Sequence, residues 1–352
     1  MFGSMLRRHS YDIVVIDEGD RALRRKNKQL LEGMTYRFYG PRERKAYFSK
    51  TFGRIGLKAS HVIPVRCHAE TSFGFLLAYE EQPHLVLELD DDTFPVAGSP
   101  IIDGHFANLQ SHDGLVVSSP NAWYNSVENL QLNVRDQIFP RGHPYDPSVR
   151  STELSWSNAS SRIVLNMGLW LGDPDLDALT ILSRGGMHGK CDVKSTKIRR
   201  NRVVVREGTY FALCSMNTAF KPEIIPAFYQ LYMNYMGIDR FDDIWSGIFL
   251  KKVADHLGIG LSLGGPVVRH EKRPRDVFRD LRAENEGMAI NEILWRIING
   301  LDLEGKDYWT AYRSLSEGLE LALRKLGRPF WRKLIRVQTR KMQAWLRLID
   351  KL

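Results

Sequence analysis

The chain has 352 residues, of which 43% are hydrophobic and 26% are charged, a composition typical of a globular protein with a substantial core. No stretch approaches the roughly 18 uncharged apolar residues of a membrane-spanning helix, and residues 1–8 lack the apolar core of a signal peptide. We therefore expect a cytoplasmic protein. Its three cysteines are odd in number and lack metal-ligand spacing, which argues against a disulfide framework or a zinc site.

The formal net charge of +9 comes from the C-terminal tail. Residues 324–352 contain ten Lys or Arg and one acid, Asp350, and the totals of 50 basic and 41 acidic residues therefore leave 40 of each for the body. A nucleic-acid-binding protein usually carries basic residues on its folded body, and no helix-turn-helix, zinc or RNA-binding signature is present. We expect no nucleic-acid partner.

Alternating apolar runs and helical periodicities predict the α/β class, with a mostly parallel, helix-covered sheet and C-terminal helices. We expect one domain over residues 1–300 and a basic amphipathic helical tail over 301–352. The predicted strands are 11–17, 60–65, 85–89, 115–117, 161–171 and 208–217, and the predicted helices are 21–32, 71–79, 222–236 and 244–257.

Three aspartates, Asp90, Asp91 and Asp92, follow the strand 85–89 directly. A solvated acidic turn is the simpler interpretation of such a run, because aspartate favours turns for local hydrogen-bonding reasons. Clustered carboxylates at the carboxyl end of a strand also suit a hard divalent cation held between protein oxygens and a diphosphate. The further motifs below favour the cation site.

Asp242 and Asp243 precede a predicted helix, where they either cap free amides or act as catalytic carboxylates that stabilise positive charge or accept a proton. His270, near the predicted end of a strand, is either a structural histidine or a metal ligand. Lys272, two residues later, suits a phosphate group.

Arg141 and Arg150 bracket a segment rich in proline and glycine, and such segments within a domain are usually functional or mobile. Most arginines are surface charges. The guanidinium group is nevertheless suited to bidentate contact with a diphosphate leaving group, and its permanent protonation makes it a poor nucleophile.

In their shared order, these segments resemble the reversibly glycosylated polypeptide family, whose plant members are UDP-arabinopyranose mutases. The match is good from about residue 60 to 295, weaker over 11–59, and absent after about 302. The matching pieces are Leu89–Phe94, Pro140–Tyr145, Gly168–Leu171, Pro174–Ala178, Gly208–Phe211, Met216–Phe220, Arg240–Gly247, Asp255–Gly258 and His270–Lys272.

The resemblance implies a glycosyltransferase-A-like (Rossmann-like) fold that binds a UDP-sugar together with Mn²⁺ or Mg²⁺. It implies that Arg141 is the arginine associated with reversible self-glycosylation and that Arg150 is a looser counterpart of a second required arginine. The residues so implicated are Arg141, Arg150, Asp242 and Asp243 for catalysis, Asp90, Asp91, Asp92, Asn217 and Lys272 for UDP-sugar binding, and Asp90, Asp92 and His270 for the metal.

Three departures from the family pattern stand out. The chain begins near what is usually the second strand, so we expect the first strand and helix, which help to hold uridine, to be missing or replaced. Two extra residues separate Arg141 from Arg150 relative to the plant pattern, and Ser215-Met-Asn217 replaces a Gly-Met-Asn form.

Three functional hypotheses follow. The first is a UDP-sugar mutase that interconverts pyranose and furanose forms, through transient UDP release or reversible self-glycosylation. The second is a metal-dependent glycosyltransferase that passes the sugar to a separate acceptor. The third is a non-catalytic binding subunit.

In the tail, residues spaced four and three apart alternately form one face of a helix that Pro329 can open. One interpretation is that this face packs on the body or on a second subunit, in a homo- or hetero-oligomer. The other is peripheral contact with an anionic membrane surface, which suits two tryptophans among ten basic residues. The face consists of Trp331, Ile335, Gln338, Met342, Trp345 and Ile349.

Overall fold

The computed structural model describes residues 11–53, 56–111, 113–150 and 153–352, and it has the predicted α/β class. Residues 1–10, which include the start of the chain where the sequence predicts no signal peptide, lie outside these ranges. Within the described residues, no helix combines the length and the apolar character needed to cross a bilayer.

A βαβ unit opens the described part of the chain. Strand β1 (Ile13–Ile16) runs parallel to β2 (Tyr36–Tyr39) in a separate two-stranded sheet, and α1 (Arg21–Leu30) connects them. The Asp20 side chain caps α1 by accepting a hydrogen bond from the Leu23 amide. These elements confirm the βα start that the sequence predicts.

Within the described residues, ten further strands form one mixed sheet at the centre of the fold. Along its main path the order is β3, β11, β8, β12, β10, β5, β7, while β4 pairs with β12 and β9 joins β6 to β8. The strands are β3 (Val86–Leu89), β4 (Thr93–Pro95), β5 (Asp113–Ser118), β6 (Leu130–Leu132), β7 (Ser155–Ser160), β8 (Ile163–Gly172), β9 (Ser195–Ile198), β10 (Arg202–Val205), β11 (Asn217–Phe220) and β12 (Gly260–His270).

Parallel pairing in this sheet joins β8 to β12 and β10 to β5, both in its middle, and the other pairings are antiparallel. The parallel arrangement expected from the sequence therefore holds for these two central pairs. For the other strand pairs of the sheet the expectation is wrong, because they are antiparallel. Apolar runs reveal that a strand is buried on both faces, as β8 is from Ile163 to Trp170, but they do not fix the direction of its neighbours.

Helices cover the sheet, and the long ones follow β11, as the sequence predicts. Asp242 and Asp243 occupy the first turn of α7, where carboxylates interact favourably with the helix dipole. The remaining helices are α2 (Pro41–Phe52), α3 (Gly56–Ala59), α4 (Ser72–Glu81), α5 (Ile101–Gln110), α6 (Ala178–Ser183), α7 (Asp242–His256), α8 (Val277–Asn299), α9 (Tyr308–Ala322) and α10 (Pro329–Ile349).

Three predicted elements are wrong. Residues 60–65 form a short 3₁₀ turn, Ser60–Val62, instead of a strand. Residues 208–216 are irregular chain, buried from Thr209 onward, with a single bridge from Tyr210 to Trp123, and the strand begins only at Asn217. Residues 222–236 contain only the 3₁₀ turn Pro222–Ala227, because Pro226 lacks the amide hydrogen that a continuing helix requires.

The tail helix α10 begins at Pro329, as predicted, and its apolar face is buried against the body. Trp345 stacks on Tyr229 with ring centroids 5.2 Å apart, and its indole N–H donates to the Ile225 carbonyl at 3.1 Å. The face that a membrane-surface helix would present is therefore covered by protein. Membrane contact, oligomerisation and the division at residue 300 stay predictions.

Candidate functional site

The three aspartates form the turn between β3 and β4. The Thr93 amide and hydroxyl both donate to the Asp90 carbonyl, at 3.3 and 2.7 Å, and so fix the turn. Asp91 points outward: its carboxylate is 80% exposed and pairs at 3.0 Å with Arg273, itself exposed. Asp90 and Asp92 are much less exposed, so only these two of the predicted trio face the protein.

Asp92 faces His270, which ends β12 opposite β4. The His270 Nδ1 lies 2.6 Å from the Asp173 carbonyl oxygen, which can only accept, so Nδ1 carries a proton. The Nε2 atom lies 3.5 Å from the Asp92 carboxylate. Burial alone would raise the pKa of Asp92, but the contact with His270 outweighs it and lowers that pKa.

This pair fits part of a divalent-cation site. A histidine fixed by a hydrogen bond from Nδ1 to a carbonyl presents Nε2 as a metal ligand, and a carboxylate beside it is a common co-ligand. Over the described ranges, no group of three or more His, Cys, Asp or Glu side chains is arranged to hold a metal. Asp92 and His270 would provide two ligands to such a cation, and diphosphate oxygens would be the natural further ligands.

His68 links Asp90 to Asp242, although the sequence analysis singled out only the two aspartates. Its Nε2 lies 3.1 Å from the Asp90 carboxylate and its Nδ1 lies 2.9 Å from the Asp242 carboxylate. Burial by itself would lower the pKa of His68, but Asp90 and Asp242 raise it well above 6.5. We call Asp90, Asp92, His68 and His270 the strand-end cluster.

Arg141 lies in a second, more deeply buried group. Its Nε donates to Asp175, its Nη2 donates to Asp175 at 2.9 Å and Asp243 at 3.3 Å, and its Nη1 donates to Asp243 at 3.4 Å and to the Arg240 carbonyl. All five N–H donors of the guanidinium are therefore engaged. Burial alone would lower the pKa of Arg141, but Asp175 and Asp243 raise it well above its ordinary value.

Lys272 completes this group, and Arg141, Asp175, Asp243 and Lys272 are hereafter the arginine cluster. The Lys272 ammonium lies 3.8 Å from the Asp175 carboxylate and donates to the Leu176 carbonyl at 3.3 Å. Burial lowers the pKa of Lys272. Burial also raises the pKa of Asp243 to about 6, although the positive charge of Arg141 opposes this shift. Buried charges of both signs thus lie close together.

Neighbouring residues of the same segments supply both clusters. In the first turn of α7, Asp242 contacts His68 whereas Asp243 contacts Arg141. After β12, His270 faces Asp92 while Lys272 faces Asp175. The two clusters are therefore adjacent, and the structure brings together Asp90, Asp92, Arg141, Asp242, Asp243, His270 and Lys272 from the predicted set.

Gly142 allows the loop that carries Arg141 to approach α7. Its φ is +89°, a left-handed conformation, and an added Cβ would lie 2.5 Å from the Ile244 side chain. The Gly142 carbonyl accepts a hydrogen bond from the Asn291 amide at 2.9 Å. The loop is thereby held between α7 and α8.

Arg150 lies outside both clusters. Its guanidinium stacks over the rings of Tyr145 at 4.0 Å and Phe139 at 4.3 Å, and its Nε donates to the Pro144 carbonyl at 2.8 Å. Through these contacts Arg150 closes its loop on itself. A role for Arg150 in catalysis stays a prediction.

Asn217 lies in a buried polar network of its own. Its side-chain oxygen accepts from His105 Nε2 at 3.0 Å, and its amide donates to the Pro266 carbonyl at 2.9 Å. The other ring nitrogen of His105 accepts from the Asn166 amide at 2.9 Å, which requires a neutral ring. Burial lowers the pKa of His105 to about 4. Asn217 contacts neither cluster directly.

Comparison with known proteins identifies the family. The family model for reversibly glycosylated polypeptides matches residues 5–352. The chain belongs to the reversibly glycosylated polypeptide family. UDP-arabinopyranose mutase 1 of Arabidopsis thaliana is 28% identical over 344 residues, which cover 95% of this chain and 85% of that protein. UDP-arabinopyranose mutase 1 of Oryza sativa subsp. japonica is 27% identical over 342 residues, which cover 95% of this chain and 84% of that protein.

The range of this match corrects the expectation that the resemblance ends near residue 302. The reversibly glycosylated polypeptide family model includes the whole of α10, so the basic tail belongs to the family region. The same match includes β1, α1 and β2, for which the sequence resemblance is weaker. The exposed face of an amphipathic helix can vary in sequence as long as it stays polar. Short conserved motifs are therefore scarce in such segments, and a comparison of motifs does not detect that they are related.

Sequence reasoning missed two residues that this family member places at the centre of the site, His68 and Asp175. Asp175 belongs to an alternating series, Asp173, Asp175 and Asp177, that follows the buried strand β8 just as Asp90 and Asp92 follow β3. That parallel was a usable signal. His68 offered none, because a single histidine before a helix is usually structural.

Proposed function

We propose that this chain is a UDP-sugar mutase that interconverts the pyranose and furanose forms of a UDP-sugar of the UDP-arabinopyranose type. Family membership and the names of the plant relatives support the reaction. The main structural support is that Arg141 contacts Asp175 and Asp243 next to the Asp92–His270 pair. A glycosyltransferase-A-like fold is part of the proposal and rests on the resemblance of the motifs.

Asp92 and His270 are the residues that would hold Mn²⁺ or Mg²⁺. When bound, such a cation acts as a Lewis acid that stabilises negative charge on a departing diphosphate. The protein's own contribution is to fix the His270 ring through Asp173 and to keep the Asp92 carboxylate ionised beside it. Asp90, bonded to His68, would lie beside this pair without completing it.

Substrate and product of such a mutase are isomers. The bond between the anomeric carbon and the diphosphate oxygen breaks and is made again. Meanwhile the anomeric carbon exchanges its bond to the old ring oxygen for a bond to the oxygen of another sugar hydroxyl, and the proton of that hydroxyl passes to the old ring oxygen. No further reactant is consumed. The protein must therefore stabilise UDP as it departs and hold both fragments until they recombine.

Arg141 would supply the buried positive charge for this step. Because two carboxylates keep its guanidinium protonated, electrostatic support of the departing UDP is favoured over covalent attack by Arg141 on the sugar. Every N–H of Arg141 is already engaged, so contact with substrate requires the exchange of one partner. Asp243, at 3.3 and 3.4 Å, makes the longest contacts and is the exchangeable partner.

The decisive experiment is incubation of the full chain with UDP-arabinopyranose and Mn²⁺, followed by chromatography for UDP-arabinofuranose. Formation of the furanose by the wild type, and its loss in Arg141→Lys, supports the proposal. Arg313→Lys is the matched control, because Arg313 is exposed and its side chain contacts Glu317 and the Trp309 ring, neither of which belongs to the site. Slow release of UDP without furanose would instead identify a transferase awaiting an acceptor.

A further inference from the structure

His68 connects the strand-end cluster to Asp242, the residue before Asp243 of the arginine cluster. Its ring lies between Asp90 and Asp242, and its Nε2 is also 3.7 Å from the Glu88 carboxylate and 3.4 Å from the Ser215 hydroxyl. The Asp242 side chain is only 3% exposed and that of Glu88 only 6%, whereas that of His68 is 32% exposed. Water therefore cannot take the place of His68 as the partner of Asp242 without entering the protein.

The position of Asp242 makes this partner important. Asp242 and Asp243 are consecutive buried carboxylates in the first turn of α7, and like charges so close disfavour each other's ionisation. Loss of the His68 ring would leave Asp242 without its histidine partner. The protein can relieve that cost by protonating one aspartate or by moving the turn, and both changes affect the contact between Asp243 and Arg141.

We propose that His68 is a positioning residue of the site: it holds the Asp242 carboxylate in place and thereby fixes Asp243 opposite Arg141 until substrate takes over the Arg141 donors that Asp243 occupies. The inference rests on the proposed mutase function for its catalytic consequence. His68 reaches Arg141 through two consecutive aspartates, without touching it. The Ser215 hydroxyl lies 3.4 Å from the Nε2 atom of the same ring.

The test combines His68→Ala with Asp242→Asn in the full chain. We expect His68→Ala to lower kcat at least about 30-fold with KM within about threefold, since a buried carboxylate loses its partner. Asp242 hydrogen-bonds to His68, so in this proposal it acts by position and not as the catalytic carboxylate that the resemblance implies. Adding Asp242→Asn removes the unpaired charge and should restore kcat at least about tenfold over the single variant. A general loss of folded protein would lower kcat only in proportion to the folded fraction, so kcat is expressed per folded molecule, with the folded fraction measured by circular dichroism.

Two results would overturn the inference: His68→Ala with kcat within about threefold of wild type, or a double variant no more active than His68→Ala. His84→Ala is the matched control, because His84 is exposed, and we expect it to behave as wild type. If the wild type itself forms no furanose, the proposed function fails separately. Thermal denaturation then decides the inference, which stands if Asp242→Asn raises the lowered midpoint of His68→Ala and falls if it does not.

Discussion

The strand-end cluster and the arginine cluster are built from the same segments but differ in exposure and in pairing. In the strand-end cluster the Asp90, Asp92 and His68 side chains are 23 to 32% exposed and only His270 is buried, at 3%, whereas the side chains of Arg141, Asp175 and Asp243 are 5 to 9% exposed. In the arginine cluster, every donor of Arg141 has a protein partner. In the strand-end cluster, His270 Nε2 makes only the longer contact of 3.5 Å with Asp92. We therefore expect the arginine cluster to fix geometry and the Asp92–His270 pair to receive a ligand.

The largest effect is expected where pairing is most complete. Arg141→Ala leaves the carboxylates of Asp175 and Asp243 buried without their main partner, which costs about 3–5 kcal/mol in the free energy of unfolding. Furanose formation should be abolished as well. Urea denaturation and the chromatographic assay measure the two losses. A variant as stable as wild type would show that the arginine cluster does not fix the site.

The network around His105 tests whether hydrogen bonds to both ring nitrogens are enough to keep a buried histidine in its neutral form. The folded protein holds His105 neutral with a pKa of about 4, whereas the unfolded chain takes up the proton near 6.5. Stability is therefore lost as the pH falls from 6.5 towards 4, by on the order of 3 kcal/mol at most. His105→Gln removes this titration.

Urea denaturation of both proteins across that pH range measures the effect. Between pH 6.5 and 4 we expect the unfolding free energy of the variant to fall less steeply than that of the wild type. Above pH 6.5 and below pH 4, where His105 does not titrate in either state, the two curves should have the same slope. Equal slopes between pH 6.5 and 4 would mean that the folded protein protonates His105 as easily as the unfolded chain does. The hydrogen bonds of His105 would then not hold it in one form, in contrast to the contacts of Arg141.

Asp92 and Asp91 sharpen the contrast within the turn itself. Asp92→Asn should reduce Mn²⁺-dependent UDP binding and furanose formation about 100-fold, which corresponds to about 2.7 kcal/mol, with a small change in stability. Asp91→Asn should leave both near wild type, because that carboxylate faces solvent and Arg273. Calorimetric titration with UDP, with and without Mn²⁺, compares them. Equal losses in the two variants would contradict the orientation of the turn.

Arg150 gives the smallest expected effect. Arg150→Met removes the stacking on Phe139 and Tyr145 and the bond to the Pro144 carbonyl, at a cost of about 1 kcal/mol in the free energy of unfolding. Furanose formation should fall far less than in Arg141→Ala. Denaturation and kcat are the measurements. Full loss of activity at unchanged stability would place Arg150 with Arg141 at the substrate.

Local patterns were enough to predict several elements of this fold. The helices α1, α4, α7 and α10 and the strands β1, β3 and β8 carry strong periodicity or long apolar runs, and they lie close to their predicted positions. Strand direction was beyond such patterns, because it depends on which distant segments pair. The segment 222–236 misled for a different reason, since its apolar spacing is helical but its prolines interrupt the backbone hydrogen bonds.

The candidate site shows the same limit. Six residues of the site could be predicted from the sequence because each lies in a motif whose residue types suit a known chemical role. They are Asp90, Asp92, Arg141, Asp243, His270 and Lys272. His68 was not, because its partners Asp90 and Asp242 are 22 and 174 residues away in sequence. Asp175 meets Arg141 across 34 residues. Only the folded sheet brings such residues together.

Gly142 shows that a residue without functional groups can decide the geometry of a charged site. A methyl group at this position would meet Ile244, the residue next to Asp243, and would push the arginine loop and the start of α7 apart. The Pro-Arg-Gly sequence therefore provides both the charge of Arg141 and the space that lets its loop approach α7. A distant homologue that kept the arginine but gained a bulkier neighbour would have lost the fit between guanidinium and carboxylate while still matching the charged positions.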